Sequence, residues 1–215
     1  MKNEVINAIK NEKIIVIVRG VESEKLIPLA EALYDGGIRL MEITYSADKS
    51  VSDEDTAKNI EMLATHFNGK MFIGAGTVLT ESQVELTKRA GGSFIISPDT
   101  YPEVIEKTNS LDMVSIPGAL TPTEIKNAHR CGADFVKLFP VTSLGAEYVK
   151  AVKAPLSNIN LLAVGGISES NIDDYLKTGV CGFGVSSNII DKSLIAKGDY
   201  AKITELAKKY TSAVK

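Results

Sequence analysis

Tryptophan is absent from the 215 residues, and cysteine and histidine occur only twice each. Cys131 and Cys181 are too few for a disulfide framework and read as reduced core thiols. No cluster of cysteine and histidine has metal-ligand spacing, so neither a metal nor another cofactor is expected. His66 and His129 fall near the ends of expected helices, and neither belongs to a recognisable catalytic triad. A membrane-length apolar run is missing too. The stretch Ile14–Val18 is far too short for a signal-peptide core or a membrane span, and Met1–Lys13 before it is polar and charged. No membrane association is expected, and the protein should remain in the cytoplasm. An excess of basic residues is also lacking. Lys and Arg number 24 against 27 Asp and Glu, a net charge of −3, which argues against general nucleic-acid binding. A small anionic substrate still fits, because a few local cations or amide groups suffice to hold it. Finally, no linker, low-complexity tract or charge block divides the chain, so residues 1–215 are read as a single domain.

What the sequence does contain is an architectural rhythm. Eight short apolar, β-rich runs recur: Ile14–Arg19, Leu40–Thr44, Phe72–Ala75, Phe94–Ile96, Met113–Ile116, Phe135–Leu138, Leu161–Val164 and Gly182–Val185. Their spacing of roughly 25 residues is near the length of one βα unit. Between them lie amphipathic stretches such as Glu24–Tyr34, Thr56–His66, Glu81–Arg89, Glu124–Arg130 and Asn171–Lys177. Ser23, Thr80, Thr121 and Ser168 are placed to cap helices. Runs apolar throughout suggest strands buried on both faces, as in a parallel sheet. Eight units in so short a chain predict closure into a (β/α)8 TIM barrel, with a doubly wound open sheet as the alternative. Lys2–Asn11 reads as an extra N-terminal helix at the barrel's lower end, and Tyr200–Ala213 as the last helix.

In such a barrel the site lies at the C-terminal ends of the strands. Polar and special-backbone residues are concentrated there: Arg19, Glu42 with Thr44, Gly76 with Thr77, Ser97 with Pro98, Lys137 with Phe139, Gly165 with Gly166, and Ser187. Lys137 is the most informative. By strand alternation it shares a face with Phe135 and Phe139, while Val136 and Leu138 share the other, so the lysine is set in a hydrophobic strand. Desolvation lowers the pKa of a buried ammonium, and a neutral amine is what attack on a ketone requires. Taken alone, Lys137 is more readily read as a strand-end lysine that reaches solvent or pairs with an acid. Glu42, inside the barrel mouth, changes the balance: it can pair with Lys137 and shuttle the protons that imine chemistry needs. A structural ion pair between Glu42 and Arg19 is the plainer reading. Loops after the seventh and eighth strands often bind phosphate in these barrels, which singles out Gly165, Gly166 and Ser187, with a short helix expected to start near Ser187-Asn188.

Seven short motifs then carry a resemblance, in order and at suitable spacing. They are Met41-Glu42-Ile43-Thr44, Gly74-Ala75-Gly76-Thr77-Val78-Leu79, Ile96-Ser97-Pro98, Ile116-Pro117-Gly118, Thr121-Pro122-Thr123-Glu124, Val136-Lys137-Leu138-Phe139-Pro140 and Gly165-Gly166-Ile167. From Ile14 to Ile190 the chain resembles the 2-keto-3-deoxy-6-phosphogluconate / 4-hydroxy-2-oxoglutarate (KDPG/KHG) aldolases. The resemblance implies a metal-free homotrimer with Lys137 as the Schiff-base lysine and Glu42 as the general acid/base. It implies that Thr77 helps hold the pyruvyl carboxylate, and that a phosphate lies near Gly165, Gly166 and Ser187.

Two departures from the family pattern bear on the substrate. Many members carry an arginine shortly after the strand-two threonine, whereas here Thr44 is followed by Tyr45-Ser46-Ala47-Asp48, leaving Arg19 as the replacement cation. Ala163-Val164 stands before Gly165-Gly166 where many members have Pro-Thr. Both resemble the phosphogalactonate-cleaving branch. The expected activity is cleavage of a 2-keto-3-deoxy sugar acid or 4-hydroxy-2-oxoglutarate to pyruvate and an aldehyde. Arg19, Thr44 and Thr77 would contact the substrate, and Phe139 and Pro98 would wall the pocket. The competing expectations are a metal-free sugar-phosphate isomerase or epimerase, and a barrel that binds a sugar acid without catalysis.

Overall fold

All eight expected runs form strands. The computed structural model describes residues 1–215. Its strands are β1 (Ile14–Val18), β2 (Leu40–Thr44), β3 (Phe72–Gly76), β4 (Phe94–Ile96), β5 (Val114–Ile116), β6 (Gly118–Ala119), β7 (Val136–Leu138), β8 (Leu161–Val164) and β9 (Gly182–Val185). Every pairing is parallel, in the order β5-β4-β3-β2-β1-β9-β8-β7-β6. The two end strands of that order, β5 and β6, are separated only by Pro117. A proline has no N–H for the ladder, so one stave is broken there into two short pieces. On one side of it, Ser97 N–H donates to the Ile116 carbonyl at 3.2 Å; on the other, Lys137 N–H donates to the Pro117 carbonyl at 2.8 Å and Phe139 N–H to Ala119 at 3.0 Å. The same short run thus bonds to both neighbours and closes the ring. The chain is a parallel (β/α)8 barrel, and the open-sheet alternative is excluded.

The helices are α1 (Lys2–Glu12), α2 (Ser23–Asp35), α3 (Asp53–His66), α4 (Glu81–Arg89), α5 (Pro102–Ser110), α6 (Pro122–Arg130), α7 (Gly145–Lys153), α8 (Ile172–Leu176), α9 (Lys192–Lys197) and α10 (Tyr200–Ala213). Thr80 and Thr121 cap as expected, and Thr121 forms a reciprocal capping box with Glu124. Ser23 and Ser168 do not. Glu22 precedes the first turn of α2, and Asn171 stands at the start of α8, where its side chain accepts from the Ser168 N–H.

The strands divide two cores. Val16, Val18, Val136 and Leu138 face outward into the layer of helices. Ile15, Leu40, Phe94, Val114, Phe135 and Leu162 fill the lower barrel interior, where Val5 and Ile9 of α1 join them. Those two residues lie four apart, on one face of the helix, and both are fully buried. Each contributes about 2 kcal/mol by leaving water. Lys2 ties the start of α1 to Asp134 at 2.9 Å and to Asn109 at 2.7 Å. The extra helix is therefore a floor, and the interior opens only upward, towards the strand ends. No helix is long and apolar enough to cross a membrane.

Candidate active site

Above the apolar floor the inward-facing residues change character. Glu42 on β2 stands beside Ile17 of β1 and Gly74 of β3. Lys137 on β7 stands beside Gly118 and Leu162. Alternation places both side chains inside the barrel, as expected, and both are buried, at 1% and 9% exposure. They line one cavity of about 510 Å³ together with Arg19, Phe139, Gly165, Gly166 and Ser187. Val164, the departure before Gly165, also lines it, as do Ile17 and Gly184, which sequence reasoning did not single out.

The electrostatics of this pair follow from burial. Desolvation pushes the Glu42 carboxyl up to about 7, against the opposing pull of Lys137 and Arg19. Desolvation likewise pushes the Lys137 ammonium below the usual lysine range. The Glu42 charge opposes that shift, and Arg19 adds to it. Glu42 makes no ion pair with either cation, and its buried Oε2 has no hydrogen-bond partner. The expected direct pairing is thus replaced by two nearby groups, each held towards its neutral form. Lys137 Nζ lies 4.6 Å from the centre of the Phe139 ring, which shields it from the mouth side. A carboxyl and an amine on one cavity, each shifted towards its neutral form, are the components of proton-coupled attack on a carbonyl.

Arg19 reaches across the end of β2 to Thr77, donating to its Oγ1 at 2.8 Å. Thr77 has φ +55°, the left-handed region, which is unusual for a β-branched residue and costs of the order of 1–3 kcal/mol. Strain of that kind persists where surrounding contacts hold a side chain in place. Here it aims the hydroxyl at Arg19, so a guanidinium and a hydroxyl converge at one edge of the mouth. Arg19 also borders a second cavity of about 390 Å³, lined by Thr44, Ser46 and Asp48. Thr44 thus borders this second cavity and not the one that Glu42 and Lys137 line. Hydrogen bonds from Ser46 and Ser50 hold Asp48 down at about 2, so the loop that lacks the family's arginine presents a carboxylate.

A family profile described as "Aldolase: KDPG and KHG aldolase" matches residues 5–206. The chain belongs to the KDPG and KHG aldolase family. It is thus a carbon–carbon lyase. It is 35% identical over 184 residues to a probable 2-dehydro-3-deoxy-6-phosphogalactonate aldolase of Rhizobium meliloti, covering 85% of this chain and 84% of that one. It is 30% identical over 202 residues to the 2-dehydro-3-deoxy-6-phosphogalactonate aldolase of Escherichia coli, covering 94% and 96%. A solved KDPG aldolase from Legionella pneumophila, with pyruvate captured at low pH as a covalent carbinolamine intermediate, superposes with a TM-score of 0.84. That structure is 29% identical, with 94% of this chain and 96% of that one covered.

Besides Thr44, both Pro98 and the segment after Ser187 of this aldolase stand differently from expectation. Pro98 is exposed and does not line the cavity of Glu42 and Lys137; its carbonyl backs onto Gly118 instead. β4 ends at Ile96 as expected, and Pro98 lies in the exposed turn beyond it. No helix starts at Ser187-Asn188. Those residues form a turn in which Ile189 and Ile190 donate to the Ser186 carbonyl, and the short helix α9 begins at Lys192. Ser187 still borders the cavity beside Gly165 and Gly166, both at positive φ (104° and 70°), a backbone that glycine adopts without strain.

Proposed function

We propose that this aldolase works through a Schiff base on Lys137, cleaving a 2-keto-3-deoxy-6-phospho sugar acid or 4-hydroxy-2-oxoglutarate to pyruvate and an aldehyde. The observation that carries this reading is the burial of Lys137 and Glu42 on one cavity, each shifted towards the neutral form. The neutral amine attacks the C2 ketone. Glu42, still protonated near pH 7, gives its proton to the departing hydroxyl as the carbinolamine loses water. Its carboxylate then accepts the C4 hydroxyl proton, directly or through water, while the C3–C4 bond breaks and the aldehyde forms. The electron pair moves through the iminium to give an enamine. Protonation of C3 and hydrolysis release pyruvate and restore the amine. The carbinolamine captured in the Legionella pneumophila relative supports this route.

Arg19 and Thr77 bind the carboxylate of the 2-oxo acid, a planar anion suited to a guanidinium fork. Thr77→Val keeps the branched shape and loses the hydroxyl. KM for pyruvate should rise on the order of 10-fold, the weight of a hydrogen bond to a charged group. Thr77→Ser should hold KM near the wild-type value. A Val variant with unchanged KM would remove Thr77 from the carboxylate site. The distal phosphate lies at Gly165, Gly166 and Ser187, where backbone amides border the cavity. Between the two sugar configurations, galactonate is favoured, because the arginine after Thr44 is missing and two named relatives act on that configuration. Comparing kcat/KM for the two substrates decides this.

The whole chain is read as one aldolase domain that acts as a cytoplasmic homotrimer, as the resemblance implies; its mass in solution tests the assembly. Incubation with pyruvate, borohydride reduction and peptide mapping test the chemistry. A pyruvate-derived adduct on Lys137 establishes the imine and excludes the isomerase, and turnover with a panel of aldehydes excludes the binding-only barrel. Its absence under conditions that label another aldolase of the family would sink the Schiff-base reading.

A further inference from the structure

The inner face of β3 carries glycine at two successive inward positions, Gly74 and Gly76. The two are not equivalent. A Cβ on Gly74 would run into the ring of Phe94, a packing contact in the lower core. A Cβ on Gly76 would stand 2.5 Å from Glu42 Oε1, 2.6 Å from Cδ and 3.0 Å from Oε2, so its three nearest neighbours all belong to one carboxyl group. Backbone conformation does not demand glycine here, since Gly76 is not among the residues with positive φ. Nor is the strand free to retreat. Gly76 is paired with Thr44 in the β2–β3 ladder, and its carbonyl accepts from the Tyr45 N–H at 2.8 Å. A side chain at this position therefore displaces the Glu42 carboxyl from its place against β3 into the cavity it shares with Lys137.

We propose that Gly76 is a positioning residue for the aldol reaction: the side chain it lacks leaves the slot that fixes the Glu42 carboxyl relative to Lys137. The inference rests on the proposed role of Glu42. The slot explains how a buried carboxyl with a partnerless Oε2 is held without a hydrogen bond of its own. The carboxyl occupies the space that a Cβ at position 76 would fill, and its Oε2 is left without a polar partner.

The test is a double-mutant cycle with Gly76→Ala, Glu42→Ala and the pair, read by exchange of the pyruvate methyl protons in D2O, by kcat and KM for cleavage, and by Tm. Gly76→Ala alone should cut exchange and kcat by roughly 10- to 100-fold with KM within about twofold, since acid–base catalysis is sensitive to small misplacement. In the Glu42→Ala background the same substitution should change exchange by less than about twofold and cost no further Tm, because the group it displaces is gone. Equal losses in both backgrounds, or an unaltered rate for Gly76→Ala alone, would overturn the proposal. Should Gly76→Ala fail to fold, the double variant decides: folding supports the slot, and failure to fold overturns it. Wild-type exchange together with a pyruvate adduct on Lys137 keeps the proposed function standing whichever way the cycle falls.

Discussion

Lys137→Ala should abolish carbon–carbon cleavage, with kcat falling by at least about four orders of magnitude, while the barrel remains folded. The size of the effect follows from what is removed. Without the amine there is no imine, and without the imine the electron pair of the breaking C3–C4 bond has only a ketone oxygen to flow towards. Neighbouring contacts cannot substitute, because the nearest other cation, Arg19, carries a guanidinium that stays protonated and does not act as a nucleophile. The fold should tolerate the change well. Lys137 sits in the inner wall with its ammonium disfavoured by burial, so removing it leaves a small void and lifts a desolvation cost. Steady-state rates with circular dichroism of the same sample check both halves. Full turnover by a folded Lys137→Ala protein would refute the assignment.

Glu42→Gln separates activity from stability more sharply. Loss of the proton shuttle should lower kcat by about 10²- to 10⁴-fold. Stability should move the other way, and the sign follows from linkage. The folded-state pKa of Glu42, about 7, lies above its ordinary 4.5, so the native protein binds the proton more tightly than the unfolded chain does. Wild-type stability therefore declines as pH rises from about 4.5 to 7 and levels off above that. The glutamine variant lacks this decline. At pH 5 the two proteins should melt at nearly the same temperature, and at pH 8 the variant should melt higher, by up to about 3 kcal/mol of stability. Equal melting at both pH values would mean that the carboxyl is not held protonated by its surroundings. The same titration should shape the rate: kcat for cleavage depends on a group near pH 7 in the wild type and loses that limb in the variant.

How much of this was legible beforehand depended on the period of the signal. The eight strands announced themselves as apolar runs, and strand alternation alone put Lys137 and Glu42 on the inside. The floor helix was readable because its buried residues fall four apart. Contacts between distant segments were not. Nothing local distinguishes Pro98, which leaves the cavity, from Phe139, which stays in it. The break at Pro117 was invisible as a break, because Gly118-Ala119 is too short to form a run. The strained backbone of Thr77 and the unequal duties of Gly74 and Gly76 depend on what meets them from neighbouring strands, namely Arg19, Phe94 and Glu42. A sequence read along one strand at a time holds no record of those partners. The expected helix at Ser187 failed for a local reason: three residues of turn precede Asp191, the first good cap before α9.

The floor laid by Val5 and Ile9 has a consequence for the order of events in a turnover. A vessel closed at one end fills and empties through the other. In the proposed reaction Lys137, set in the barrel wall, holds the pyruvyl half covalently, and the aldehyde half is the part free to leave through the opening. In the cleavage direction the aldehyde must therefore depart before water reaches the imine and pyruvate is freed. In the synthetic direction pyruvate must enter first, since an aldehyde already in the neck would block its path. On the proposed Schiff-base route the aldehyde is therefore the first product to leave and pyruvate the second.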